Sequence, residues 1–404
     1  MLTYEESFLI FHSPFMDYNL HLKCVTMKHL PILFILISVI GFSCSSVAHK
    51  IFNNQSPREK YESSIEDSPE AQLWLSVSRS ALDQPQNIQL PFSIRGHFQN
   101  DKARSLGLRF RARRGEQLNF IFNKKPTSGV IYTDVFSAEA VFASDPLVTA
   151  DTGSTQFSLD VESTGEYIIR LQPELFTEGD YDLVITSGPS LGFPVSGNKA
   201  SIGSFWGASR DGGKRNHEGI DIFAPKRTPV VAAADGMVTG VREGGIGGKV
   251  IWMRPAGKDL SLYYAHLDEQ LVHAGQRVKK GEILGLVGNT GNARTTPAHL
   301  HFGIYTYGGA IDPLDFVQED RKKIPVLPEK TIAGKQLKLL KTQKAGDVVI
   351  KANAFLDPVG ITSKGYIAEL PGGIKMLVPF SEARAIEKSS VNSMAGKTVI
   401  ETNG

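Results

Sequence analysis

The sequence predicts a mainly β protein, in which an antiparallel β-sandwich is followed by a second β-sheet domain and a small terminal β-barrel. Many short segments alternate apolar and polar residues with a period of two, as strands with one buried face do. Turn residues separate these segments, in a chain that contains 39 glycines and 21 prolines. With 404 residues, the chain is also long enough for several domains, each with its own core.

The first 44 residues predict an export signal. A short basic start at Met27 is followed by an apolar run from Leu30 to Phe42. This run is shorter than the about 20 residues of a membrane span, and its length suits the core of a signal peptide. Small residues then lead to Cys44, so the segment resembles a bacterial lipoprotein signal whose lipidated residue is Cys44. Simple secretion and a retained anchor are the alternatives. Residues 1–26 are interpreted as an upstream extension, and the body of the protein is exported in each case.

Residues 45–72 are rich in Asn, Gln, Ser and charged side chains. Because such a composition cannot bury a core, it predicts a flexible tether.

Residues 73–190 carry the clearest alternation and predict the antiparallel β-sandwich. Apolar residues recur at every second position in four segments: Leu106, Leu108 and Phe110; Leu118, Phe120 and Phe122; Tyr167, Ile169 and Leu171; Tyr181, Leu183 and Ile185. The phrases RRGEQLNFIF, TGEYIIRLQP and GDYDLVI resemble the pre-peptidase C-terminal-like sandwich domains that accompany secreted hydrolases. The resemblance implies a spacer or positioning module, and the segment contains no evident cluster of catalytic side chains.

The stretch PAHLHFGIY, residues 297–305, places two histidines on one face of a predicted strand. Successive side chains of a strand point to opposite faces, so His299 and His301 share a face about 7 Å apart while Leu300 points to the core. The two imidazoles could be two metal ligands, one ligand and one catalytic group, or a polar edge without a role.

A second polar pair, His217 and Asp221, lies in NHEGIDIFAP. A helix would bring the two residues together, but Gly219 and the β-branched residues beside it disfavour a helix. On a straight strand they would lie about 13 Å apart, too far to share an ion. A shared metal site therefore requires a bend of the chain at Gly219.

Histidine and aspartate on rigid strands of an exported protein suit zinc. Zinc accepts imidazole nitrogen and carboxylate oxygen, and a catalytic site keeps one position for water, whose pKa falls to about 7. Amide hydrolysis also needs a proton acceptor and a group that stabilises the oxyanion. His266, in the apolar stretch YYAHL, is a candidate for one of these roles.

The order H-x-G-x-D, Y-A-H-L, G-N-T-G and P-x-H-L-H-F resembles the LytM/lysostaphin family of zinc endopeptidases, which cut peptidoglycan cross-links. The resemblance covers about residues 199–318 and includes RVKKGEILGLVGNTG. It implies that His217, Asp221 and His301 bind zinc and that zinc-bound water is the nucleophile. His266 and His299 would be non-ligand catalytic residues that act on this water and on the tetrahedral intermediate, with the choice of general base left open.

Parts of the sequence also resemble proteins with two other functions. The family includes members that have lost ligands and only activate other wall hydrolases, but no ligand position is empty here. The stretch VKKGEILGLVGNTG also resembles the hairpins of lipoyl and biotinyl carrier domains, in which the HLH segment would have no function.

Glu218 follows a histidine, as the glutamate of helical HExxH enzymes does, but the second histidine at that spacing is missing. His273 matches no motif and is expected in a surface turn, whereas Arg210, Lys214 and Arg215 are expected to contact acidic groups of a substrate or solvent.

Residues 328–404 contain short segments broken by Gly and Asn, and these predict a small SH3-like β-barrel that binds the cell wall or caps the catalytic domain.

Charge and cysteine content limit the partners. The net charge is +2 without a concentrated basic stripe, so a nucleic acid partner is not expected. Because Cys24 and Cys44 are the only cysteines, a disulfide framework and a Cys-based zinc finger are excluded for the folded part.

The expected partners are peptidoglycan and, through a lipid on Cys44, the membrane, and the expected location is the cell envelope. Protein partners are left open. Among known bonds of such enzymes, the D-Ala to diaminopimelate cross-link is favoured over glycine bridges.

Overall fold

The computed structural model describes residues 55–404 except 127–128, 143–144, 320–321, 347, 371–372, 389–399 and 403–404. The expected signal segment, Cys44 and the first ten residues of the expected tether lie outside this part of the chain. Among the described residues, none of the helices has the length and apolar character needed to cross a bilayer.

Two helices occupy most of the described part of the region that was expected to be a tether. They are α1 (Pro57–Ile65) and α2 (Pro69–Asp83). Ser56 begins α1 with a capping box, since its hydroxyl accepts from the Glu59 N–H at 3.2 Å and the Glu59 carboxylate accepts from the Ser56 N–H at 2.7 Å. Ser68 caps α2 through Ala71. The tether prediction is therefore wrong for residues 57–72.

Contacts with the β-sheets explain why this polar segment folds. The buried Arg58 guanidinium donates to Ser78 Oγ at 2.8 Å and to Gln172 Oε1 at 2.6 Å, and it stacks 4.5 Å from the Trp74 ring. The Trp74 indole N–H in turn donates to the Pro173 carbonyl at 2.8 Å. A charged residue is thus buried beside polar and aromatic partners from other elements, which a reading of local composition cannot foresee.

The β-sandwich follows the helices, and the predicted alternation is confirmed. Leu118, Phe120 and Phe122 are buried in its core, with Phe110 from the facing sheet. One sheet has the strand order β1-β3-β8-β5-β6, and β2-β9-β4-β7 belong to the other. The strands are β1 (Gln86–Asn87), β2 (Phe92–Phe98), β3 (Leu106–Ala112), β4 (Glu116–Pro126), β5 (Ile131–Ser137), β6 (Val148–Thr149), β7 (Gln156–Asp160), β8 (Gly165–Pro173) and β9 (Gly179–Pro189).

The central region contains a separate sheet of eight strands. Seven of them have the order β10-β13-β21-β17-β16-β15-β19, and the eighth, β22, pairs with β21. Strands β14, β20 and β18 form a small second sheet. The elements are β10 (Ser201–Ser204), β11 (Ser209–Arg210), β12 (Arg215–Asn216), β13 (Ile220–Phe223), β14 (Pro229–Val231), β15 (Gly236–Gly244), β16 (Gly248–Pro255), β17 (Ser261–Leu267), β18 (Glu269–Gln270), β19 (Arg277–Val278), β20 (Ile283–Leu286), β21 (His299–Thr306), β22 (Gly309–Ile311) and α3 (Leu314–Val317).

Strand β21 lies between β13 and β17 and positions the polar side chains. Asp221 of β13 pairs with His301, and Ala265 of β17 pairs with the same residue on its other side. Leu300 and Phe302 are fully buried in the core of this region. Because side chains alternate along a strand, His301 lies on the opposite face, as the sequence predicts.

The C-terminal strands continue one sheet of the sandwich and also enclose a hydrophobic core of their own. Strand β26 pairs with β2, which produces a nine-stranded sheet. Val359 and Ile367 join the sandwich core, and the Tyr181 hydroxyl donates to the Val359 carbonyl at 2.8 Å. The SH3-like assignment of these strands stays a prediction. They are β23 (Lys335–Leu339), β24 (Gln343–Ala345), β25 (Val348–Ile350), β26 (Phe355–Ile361), β27 (Gly365–Glu369), β28 (Lys375–Pro379), β29 (Ala383–Glu387) and β30 (Ile400–Thr402).

A buried network of charges reinforces this junction. Arg104, which precedes β3, contacts Glu369 of β27 at 2.7 Å and Asp357 of β26 at 3.2 Å. Its guanidinium also contacts Asp101 at 2.7 Å. Since the Arg104 side chain is only 2% exposed, loss of these partners would leave a buried charge without compensation.

Candidate functional site

Three of the predicted site residues bring their donor atoms together at one point. The pairwise distances between His217 Nε2, Asp221 Oδ1 and His301 Nδ1 are all 3.0 Å. The three residues form a group that could hold a metal ion. An ion with bonds of about 2.0–2.2 Å can reach three atoms at such separations, and two imidazoles with one carboxylate suit zinc.

A bend of the chain allows His217 and Asp221 to meet. His217 lies in the short loop between β12 and β13, and only Asp221 belongs to the strand. At Gly219, a Cβ would lie 2.6 Å from the Phe302 carbonyl oxygen and 2.7 Å from His301 Cε1. No larger residue fits so close to the strand. The condition that the sequence placed on a shared site, a bend at Gly219, is met.

Hydrogen bonds from neighbouring loops orient the first two residues of this group. His217 Nδ1 donates to the Phe205 carbonyl at 2.9 Å, which directs Nε2 at the centre. Arg210 donates from Nη2 to Asp221 Oδ2 at 2.8 Å and to Ser204 Oγ at 2.7 Å. Asp221 therefore presents only Oδ1 to the histidines, an orientation that metal sites commonly fix in this way.

The protonation of the group also suits metal binding. Burial alone would raise the pKa of the Asp221 carboxyl, but hydrogen bonds with His217 and His301 outweigh it and hold this pKa well below its usual range. Burial lowers the pKa of His301 in spite of the neighbouring Asp221. An ionised carboxylate beside a neutral imidazole is the state that a metal ion requires.

His299 and His266 lie beside this group without joining it. His299 Nδ1 donates to the Pro297 carbonyl at 2.9 Å, and its Nε2 is 3.9 Å from Asp221 Oδ1. His266 Nδ1 donates to the Thr290 carbonyl at 2.9 Å, and its ring centroid is 5.1 Å from that of His299. In both rings the donated Nδ1 proton leaves Nε2 as a hydrogen-bond acceptor. Burial, followed by the neighbouring His299 and His301, lowers the pKa of His266 to about 4.

All five predicted residues line one open groove with a volume of about 620 Å³. Beside His301, an aromatic cluster of Trp252, Tyr263 and Tyr305 forms one wall. The Trp252 centroid is 4.6 Å from that of Tyr263 and 5.1 Å from that of Tyr305.

Several of these neighbours could not be recognised in the sequence. Trp252 and Tyr305 appear there only as alternating residues of strands, and Arg210 carries no signal for its contact with Asp221. His273 lies in an exposed turn, where its Nδ1 is 3.1 Å from the Ala274 carbonyl, away from the groove.

Comparisons with known proteins find similarity in the region that contains this site. Residues 215–313 match the model of Peptidase family M23. An uncharacterized metalloprotease of Haemophilus influenzae is 43% identical over 101 residues, which are 25% of this chain and 21% of that protein. The DD-carboxypeptidase/endopeptidase Mpg of Neisseria meningitidis is 38% identical over 132 residues, 32% of this chain and 28% of Mpg. An L-Ala--D-Glu endopeptidase of Bacillus subtilis is 37% identical over 117 residues, 27% of this chain and 36% of that protein. The matched region thus spans well under half the length of these relatives.

Proposed function

Because residues 215–313 form a domain of peptidase family M23, we propose that this chain is a zinc metalloendopeptidase that hydrolyses peptide cross-links in bacterial peptidoglycan. The observation that carries the proposal is the triangle of His217, Asp221 and His301 donor atoms at the floor of an open groove. A complete set of ligand atoms is what an inactive, merely activating relative would lack.

His217, Asp221 and His301 would hold the zinc ion. When bound, zinc lowers the pKa of a water molecule in its open position and polarises the scissile carbonyl. Arg210 keeps the Asp221 carboxylate turned towards the two imidazoles through its contact with Oδ2. The aromatic cluster beside His301 would pack against the apolar parts of the stem peptide.

His299 and His266 would manage the protons of the reaction. Each ring has Nε2 free to accept a proton, because Nδ1 donates to a backbone carbonyl. One histidine takes a proton from the attacking water, and the resulting imidazolium can pass it to the amine that leaves. The other histidine would stabilise the oxyanion of the tetrahedral intermediate only when it carries a second proton, on Nε2, that it can donate.

The bond that we propose is the D-Ala to diaminopimelate cross-link. Support comes from the predicted export signal and from the likeness to the DD-carboxypeptidase/endopeptidase Mpg. The L-Ala--D-Glu endopeptidase of Bacillus subtilis has the same family likeness, so the alternative bond within the stem peptide is a defined outcome of the experiment.

Digestion of purified sacculi tests the function. The zinc-loaded full chain is incubated with diaminopimelate-type sacculi, and the fragments are identified by mass spectrometry. We expect cross-linked dimers to be converted to monomers, with activity lost on chelation and restored by zinc. Cleavage between L-Ala and D-Glu would refute the proposed bond. Sacculi that stay undigested by a chain that holds one zinc ion would refute the enzymatic function and favour an activating role.

We also propose that the chain is exported and anchored through a lipid on Cys44, a position outside the described residues. Metabolic labelling with an alkyne fatty acid is expected to label the wild-type chain and not Cys44→Ala. Cys24→Ala is the matched control and should keep the label. Equal labelling of all three chains would contradict lipidation at Cys44.

A further inference from the structure

We propose that Thr290 is a positioning residue that holds the His266 imidazole in one tautomer and one direction at the edge of the groove. The inference rests on the proposed function, because it assigns a cause to the geometry of a histidine used there. Thr290 itself does not line the groove.

The backbone of His266 needs external support. This residue lies near the end of β17 with φ 63°, in the left-handed region that non-glycine residues rarely adopt. Its N–H donates to the Gly247 carbonyl at 2.8 Å, which fixes the backbone in that conformation. Such a conformation persists only where the surroundings determine it.

Thr290 supplies the remaining restraint through its backbone. Its carbonyl accepts the His266 Nδ1–H at 2.9 Å, and its own N–H donates to the His266 carbonyl at 3.3 Å. The two residues are thus paired in both directions. Because a carbonyl oxygen can only accept, the contact selects the tautomer with the proton on Nδ1 and leaves Nε2 as the acceptor.

The Thr290 hydroxyl forms hydrogen bonds to the backbone of two strands and so holds the residue, with its carbonyl, in place. Oγ1 donates to the Leu267 carbonyl of β17 at 2.8 Å and accepts from the Lys249 N–H of β16 at 3.0 Å. A valine has the same shape but can make neither bond. The two bonds therefore require a residue with a hydroxyl at this position.

The neighbouring glycines leave Thr290 no room to shift. A Cβ on Gly291 would lie 2.2 Å from the Ile246 carbonyl oxygen, and a Cβ on Gly248 would lie 2.4 Å from Gly291 N. The loop that carries Thr290 is therefore pressed directly onto the loop before β16. Because the His266 ring takes its direction from this contact, a loss of the hydroxyl should be transmitted to Nε2.

The experiment compares Thr290→Val with Thr290→Ser in the zinc-loaded full chain. Thr290→Val should keep one zinc per chain and a KM within about twofold of wild type. Its kcat should fall about 10–100-fold, because displacement of a catalytic group by about 1 Å costs that much. Thr290→Ser keeps the hydroxyl and should restore kcat to within about threefold of wild type.

A spectroscopic readout separates positioning from general stability. In ¹⁵N-labelled protein, the ring nitrogens of His266 are assigned by their loss in His266→Gln. Wild type and Thr290→Ser should show a single Nδ1–H tautomer, whereas Thr290→Val should show a mixture. If Thr290→Val does not fold, Thr290→Cys, a weaker donor and acceptor, replaces it and should give intermediate values.

Thr362→Val is the matched control. Thr362 is buried, whereas Thr290 is half-buried, and the Thr362 hydroxyl likewise donates to a carbonyl, that of Gly365, at 3.1 Å and accepts from the Lys364 N–H at 3.1 Å, outside the central region. It should keep wild-type kcat. Wild-type kcat in Thr290→Val, an unchanged His266 tautomer, or an equal loss in Thr362→Val would overturn the role of Thr290. Failure of the wild-type chain to hydrolyse peptidoglycan would instead refute the proposed function, and the ring spectra would still decide the tautomer.

Discussion

His301→Ala is expected to abolish both stoichiometric zinc binding and the hydrolysis of peptidoglycan. The substitution removes one of three donor atoms that lie 3.0 Å from one another. It should lower zinc affinity by more than the about 10–100-fold that is lost when a residue merely hydrogen-bonded to a ligand is changed. Zinc is measured per chain by elemental analysis after gel filtration, and hydrolysis by release of muropeptides.

His273→Ala serves as the matched control for this substitution. It removes an imidazole from an exposed turn that is outside the groove, so zinc content and hydrolysis should match wild type. Continued hydrolysis by His301→Ala after its zinc has been lost would contradict a metal-dependent mechanism.

His299→Ala is expected to give the opposite combination, with normal zinc content and very low turnover. Its Nε2 is 3.9 Å from Asp221 Oδ1, whereas His301 Nδ1 approaches the same oxygen to 3.0 Å. Loss of a positioned acid–base group costs about 10²–10⁴-fold in rate, so kcat should fall within this range while one zinc per chain remains. Elemental analysis and a sacculus digest of the same sample provide both numbers.

The combination matters more than the loss of activity alone. A His299→Ala chain without zinc would identify His299 as a ligand and contradict the division of roles within the HLH segment. A chain with zinc and wild-type turnover would show that His299 has no part in the reaction.

Local alternation was sufficient to predict the sandwich strands, whereas the five histidine and aspartate positions that line the groove were expected from the family resemblance, and their roles stay predictions. Alternation places Phe120 in the core and Leu300 opposite His301, because a strand has only two faces. The shared position of His217 and Asp221 depended on a bend that glycine permits and that the sequence alone could state only as a condition. The backbone approach at Gly219 explains that bend physically.

Long-range partners account for what the sequence could not predict. By its composition, the segment around Arg58 is too polar to predict a folded element. The partners that stabilise it, Ser78 on the next helix and Gln172 far away in the chain, cannot be identified from the local sequence. The capping box at Ser56 and Glu59 was a local signal that composition obscured. Likewise, the contact of Arg210 with Asp221 exists only after the hairpin of β11 and β12 has folded back.

The pairing of β2 with β26 joins one sheet from two parts of the chain that lie before and after the central sheet in the sequence. During synthesis, the sandwich strands emerge first, but their sheet stays incomplete until residues 355–379 have followed the whole central domain. Closure of so long a loop adds little entropic cost, since the cost grows only with the logarithm of loop length, but it delays the last pairing and lengthens the folding time. Until β26 pairs with it, one edge of β2 is exposed in the folding intermediate. Such an edge can pair wrongly with strands of other chains.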